Sequence, residues 1–124
     1  MVARRGATAP EAGGAGQRHH NGPVHAAALR FDLHVPESRS LKVKRSAIRP
    51  IVDGLRHRYR CSVAETGYQD QWQRAEIGVA LVAASDAHLR EQIETVERFV
   101  DGAPDVEVLD VEVVHVDAEG TLAP

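Results

Sequence analysis

The 124-residue sequence predicts an α+β fold in which a four-stranded antiparallel sheet carries two helices on one face. Three observations predict it. Apolar and polar residues alternate with period two from Ala27 to Val35. Apolar residues recur at helical spacing in two stretches, after Ser40 and after Ser85. The remaining apolar runs are strand-like, which gives the order strand, helix, strand, strand, helix, strand. Right-handed crossovers and short connections leave the ferredoxin-like split βαβ sandwich (βαββαβ) as the simplest arrangement.

In the first strand Ala27, Leu29, Phe31, Leu33 and Val35 form one face, while Ala28, Arg30, Asp32 and His34 form the other. Pro36 ends it, because proline cannot donate to a sheet ladder. Ser40 is an N-cap, and Leu41, Ile48, Ile51, Val52, Leu55 and Tyr59 are the apolar stripe of the first helix. Pro50 removes one backbone bond, so a bend or break is expected there. Cys61 to Tyr68 and Ala75 to Ala83 read as the second and third strands; in the third, Ile77, Val79 and Leu81 point inward and Glu76, Gly78 and Ala80 outward. Ser85 or Asp86 caps the second helix, whose buried stripe is Leu89, Ile93, Val96 and Phe99 or Val100, and Gly102 with Pro104 stops it. Along the last strand, Val106 to Val116, the acids Glu107, Asp110 and Glu112 break strict alternation, which predicts a bulge or an edge position.

Residues 1–24, rich in Gly and Ala and without an apolar period, read as a disordered tail; residues 25–116 form the domain and 117–124 a short C-terminal tail. Translation starting at Val2 or Val24 is an alternative reading of the first segment. His19, His20 and His25 lack the third ligand and rigid frame that a metal site needs. The single cysteine, Cys61, leaves no internal disulfide and reads as a buried, inert thiol. No apolar run approaches the roughly 18 residues of a membrane span. A soluble, cytoplasmic protein without cofactor or metal is expected.

Charge is distributed unevenly. Eight of the fifteen Lys and Arg residues lie between Arg39 and Arg60, whereas Asp101 to the end carries seven acids and no Lys or Arg. One basic and one acidic surface follow. Lys42, Arg45, Arg49, Arg56 and Arg60 form a stripe on the first helix, offset from the apolar one and interrupted by Asp53. With Arg39, Lys44 and Arg74 these are candidate phosphate contacts in RNA; a solvated helix face is the competing reading. Aromatics make up 4% of the chain and Phe31 points inward, so base stacking across the sheet is not expected.

Between the second and third strands lies a stretch denser in amides and charges than a hairpin requires. Glu65, Gln69, Asp70, Trp72 and Gln73 are its candidate interaction residues, with two readings for Trp72: a cover for the end of the core, or an exposed anchor. Catalytic pairings of Glu65 with Asp70, or of Asp32 with His34, find no nucleophile in a predictable position, and no Gly-rich phosphate loop opens either helix. No enzyme activity is expected. The outer sheet face, with Arg30, Asp32, His34 and Glu76, could instead meet a second copy in a homodimer or serve a protein-interaction or small-ligand module.

Three motifs carry a resemblance: His34-Val35-Pro36, Ser40-Leu41-Lys42-x-Lys44-Arg45, and Ala64-Glu65 followed by Gln69-Asp70-x-Trp72-Gln73-Arg74-Ala75 and Gly78. Over Ala27 to Val113 the chain resembles the YlxP-like family of small bacterial proteins of unknown function. Tyr68 stands where that family usually has His, and Gly67 where it has an acid. The resemblance implies a ferredoxin-like fold, no established activity, and genes often beside those for translation initiation and ribosome maturation factors. Ribosomal RNA or the small ribosomal subunit is therefore the expected partner, bound through the first helix and the Trp72 stretch.

Overall fold

The computed structural model describes residues 24–116 and 122–123. The expected N-terminal tail, apart from Val24, lies outside them. Strand β1 spans His25–His34, helix α1 Leu41–Asp53, β2 Ser62–Gly67, β3 Arg74–Ala83, helix α2 Asp86–Asp101, β4 Glu107–Val116 and a short β5 Leu122–Ala123. The strands lie in the order β2-β3-β1-β4-β5, every pair antiparallel. Four strands and two helices thus make the ferredoxin-like sandwich. The difference from the sequence expectation is β5, two residues of the expected C-terminal tail that pair with His115 and Val116.

Alternation builds the core. Leu29, Phe31 and Leu33 of β1 and Ile77, Val79 and Leu81 of β3 are buried on one sheet face, against Ile48, Ile51 and Leu55 and against Leu89, Ile93, Val96 and Val100 of α2. Val100, not Phe99, completes the buried stripe; Phe99 is half-buried and packs its ring on Tyr59, centroids 5.1 Å apart. Both helices begin at serine caps: Ser40 Oγ accepts from the Val43 amide and Ser85 Oγ from that of His88, so Ser85 rather than Asp86 is the second cap.

Two irregularities differ from, or refine, the expectation. Helix α1 neither breaks nor ends at Pro50 but runs on to Asp53, with Pro50 on its exposed side. The irregularity comes later, as a π-helical turn over Gly54–Arg58 closed by the Tyr59 amide on the Gly54 carbonyl. Gly54 is needed there: a methyl at that position would overlap the Phe99 ring, with Cε2 only 2.8 Å away. In β4 the bulge is found opposite Asp32 and Leu33, whose partners are Asp110 and Val108; the skipped residue, Leu109, is exposed.

Candidate nucleic-acid interface

On α1 the basic residues separate into two populations. Lys42, Arg45 and Arg49 project from the exposed side of the helix, with Arg39 before it and Arg56, Arg58 and Arg60 after it, all exposed. None has a carboxylate within ion-pairing distance among the described residues. Arg56 donates to the Val63 carbonyl at 3.0 Å, so it also covers a backbone acceptor on the free edge of β2.

Lys44 belongs to the other population, which corrects its place among the surface contacts. It lies four residues before Ile48 and seven before Ile51, on the apolar stripe, and is 1% exposed. Its Nζ donates to the Tyr68 carbonyl at 2.8 Å and the Arg74 carbonyl at 3.1 Å, and stands 3.3 Å from Glu65 Oε2 in an ion pair. That last contact lacks hydrogen-bond geometry and leaves Oε2 otherwise unpartnered, so the two carbonyls are the better-directed contacts. Alternation along β2 puts Glu65 on the same face as buried Val63, toward the helices, which puts the carboxylate within reach of Lys44. The Lys-x-Lys spacing in Ser40-Leu41-Lys42-x-Lys44 thus splits into one surface charge and one internal clamp.

The clamp shapes the connection between β2 and β3. Tyr68 takes a left-handed backbone, φ 58°, unusual for a bulky side chain, and its carbonyl is fixed by both Lys44 and the Gln71 amide. Gln69 donates to the Glu65 carbonyl, and Gln73 to those of Ser38 and Pro36. The Gln73 carbonyl accepts from the Val35 amide at 2.9 Å. Ser38, fully buried, donates its hydroxyl to the Ser40 carbonyl and joins this connection to the start of α1. Asp70 and Trp72 remain outside. Trp72 is 54% exposed, so it does not cover the end of the core.

Arg74, also a candidate phosphate contact, is engaged within the fold. Its Nη2 donates to both oxygens of Asp32, at 2.7 and 2.8 Å, and to the Tyr68 hydroxyl at 3.0 Å, while the guanidinium lies 4.3 Å from the centre of the Tyr68 ring. The hydrogen bond to Asp32 raises its pKa first, and burial opposes. On the same open sheet face Arg30 pairs with Glu112 at 2.6 Å, whose charge is the main cause of its raised pKa, and His34 Nδ1 meets Glu107 at 2.9 Å. Asp32 and His34 therefore each have a partner other than one another. Sequence reasoning placed these residues on one face but missed the pairings, since register decides them: Asp32 lies opposite Glu76 and next to Arg74.

The far half of that face is built of small apolar residues, Ala28, Ala64 and Ala80, beside Val82, which is 64% exposed. On the helical side a cavity of about 180 Å³ is lined by Tyr59, Cys61, Leu81, His88, Gln92 and Val96 among others. Cys61 is 8% exposed, and burial pushes its thiol pKa up, as suits an unreactive side chain. Among the described residues no group of three His, Cys, Asp or Glu side chains could hold a metal ion, and no helix is long and apolar enough to cross a membrane.

Comparison with known proteins places this geometry in a family. A relative from Bacillus subtilis (strain 168), "Uncharacterized protein YlxP", is 34% identical over 71 residues, which are 57% of this chain and 77% of the relative. The family described as "Protein of unknown function (DUF503)" matches residues 26–113, the whole span from β1 into β4. The chain belongs to this YlxP-like family, whose function is not known.

Proposed function

We propose that the protein is a small non-catalytic factor that binds ribosomal RNA, or the small ribosomal subunit, through the outer side of α1, acting in ribosome maturation or translation. One observation carries this reading: Arg30 and Arg74 on the sheet face and Arg90 on α2 are ion-paired and Lys44 is buried in a clamp, with Arg98 in the last turn of α2 the isolated exception, whereas the run of exposed cations from Arg39 to Arg60 forms no ion pair among the described residues. An uncompensated basic strip is costly by self-repulsion and gains when a polyanion releases its counterions. The gene neighbourhood implied by the family resemblance supports ribosomal RNA over other polyanions. Lys44 and Arg74 act in this reading as positioning residues, holding the Trp72 connection beside the start of α1.

The test is co-sedimentation of the purified protein with small ribosomal subunits at low and moderate salt, beside the folded triple variant Lys42→Glu, Arg45→Glu, Arg49→Glu. Binding that falls with salt and is lost in the variant supports the proposal; wild-type protein that stays in the supernatant at low salt refutes it. A second reading, a homodimeric interaction or small-ligand module, is favoured by the exposed apolar half of the sheet face. It predicts a dimer whose stability changes little with salt.

A further inference from the structure

We propose that Trp72 is a stacking platform for one unpaired RNA base, so that the protein recognises a single-stranded or bulged segment at the end of its basic helix. This rests on the RNA-binding reading and names its substrate class. All five aromatic residues of the chain fall among the described residues. Phe31 is fully buried, Phe99 and Tyr59 pack on one another, and the Tyr68 ring is covered by the Arg74 guanidinium. Trp72 alone is exposed. Among the Phe, Tyr and Trp rings, the large stacking surface in solvent is thus the indole of Trp72.

Its surroundings favour a base over a protein partner. An anchor for a protein interface sits in apolar surroundings that exclude water. Trp72 is bordered instead by exposed Gln71, Gln73 and Asp70, which line a shallow depression with it. A nucleobase suits such a place, because one flat face meets the indole while its polar edge reaches amides and water.

The position is also held in advance. Residues on both sides of the indole are pinned: Tyr68 and Arg74 by Lys44, Gln71 by the Tyr68 carbonyl, Gln73 by the segment Val35 to Ser38. Six exposed-loop residues would ordinarily lose much freedom on binding; here that ordering is already present in the free protein. The same bonds join the connection to Ser38 and hence to Arg39 and the first turn of α1. A phosphate beside a stacked base would meet Arg39, which follows the Ser38 carbonyl that holds Gln73, with Glu37 and Asp70 as the opposing charges.

Trp72 is the only tryptophan, so its fluorescence reports on this site alone. Two probes separate stacking from charge: a short oligouridylate, and an abasic oligomer with the same number of phosphates. Wild-type protein should show quenched fluorescence with the oligouridylate and bind it about 5- to 150-fold more tightly than the abasic oligomer. Trp72→Ala should lose that preference while keeping its salt slope, and Trp72→Phe should keep most of it. Far-ultraviolet circular dichroism and thermal melts of both variants should match the wild type, since the side chain is largely in solvent. Equal binding of the two probes, unchanged by Trp72→Ala but abolished by the α1 triple variant, overturns stacking and leaves RNA binding standing. Failure of either probe and of ribosomal subunits to bind wild-type protein overturns both. Equal probe binding with co-sedimentation lost only in Trp72→Ala assigns Trp72 to a protein contact and also overturns stacking.

Discussion

Replacing Lys44 by Met isolates the clamp from the rest of α1. Methionine keeps the unbranched stem and its packing, so the change removes the ammonium with little cavity. What is left behind is the Glu65 carboxylate and the carbonyls of Tyr68 and Arg74, which together lose the only cation that serves all three. Removing one partner of a buried pair costs about 3–5 kcal/mol. The lower end applies, because Glu65 is 27% exposed and water can partly replace the ammonium. For a domain of this size about 3 kcal/mol lowers the midpoint of thermal unfolding by roughly 12–24 °C. The control is Lys42→Met, two residues away on the exposed side, which should change stability by no more than about 0.5 kcal/mol. Urea denaturation followed by circular dichroism gives both values, and hydrogen exchange at the Gln71 amide reports the connection itself, with exchange faster in Lys44→Met alone. A cost below about 1 kcal/mol, or one equal to that of Lys42→Met, would refute the clamp.

Three further outcomes test the reasoning. Gly54→Ala should destabilise by about 1–3 kcal/mol through its overlap with Phe99, and adding Phe99→Leu should recover part of that loss; strictly additive costs in denaturant would remove the overlap as the cause. Arg56→Ala with Gln69→Ala bares the Val63 and Glu65 carbonyls on the free edge of β2, so light scattering of concentrated samples should show association that the wild type lacks. The Cys61 thiol has its pKa raised by burial, so the neutral form is the one the fold favours: its contribution is full below the unfolded value of about 8.5 and is lost as pH rises through the folded value. Wild-type protein should therefore lose more stability than Cys61→Ala above about pH 8.5, and iodoacetamide should modify the native thiol far more slowly than the urea-unfolded one.

Periodicity and capping by themselves determined the architecture. Alternation in β1 and β3, serines ahead of two apolar stripes, and the acid spacing in β4 each record a local preference that the backbone then follows. The charge split was equally visible, because exposed Lys and Arg residues need only a helix to place them on one side. Tertiary structure alone decided what each charge does. Lys44 sat legibly on the apolar stripe with Ile48 and Ile51, but nothing local says that Glu65 and two carbonyls wait opposite it. Arg74 was separated from Asp32 by 42 positions, and only the β1-β3 register brings them into contact. Pro50 carried a strong local signal to break α1, yet the helix continues through it to Asp53, and the irregularity lies at Gly54, where Phe99 of another helix presses closest. Local sequence fixes backbone preferences over a few residues, whereas ion pairs, burial and close approach depend on groups that are distant in the chain and meet only when the sheet and helices are packed.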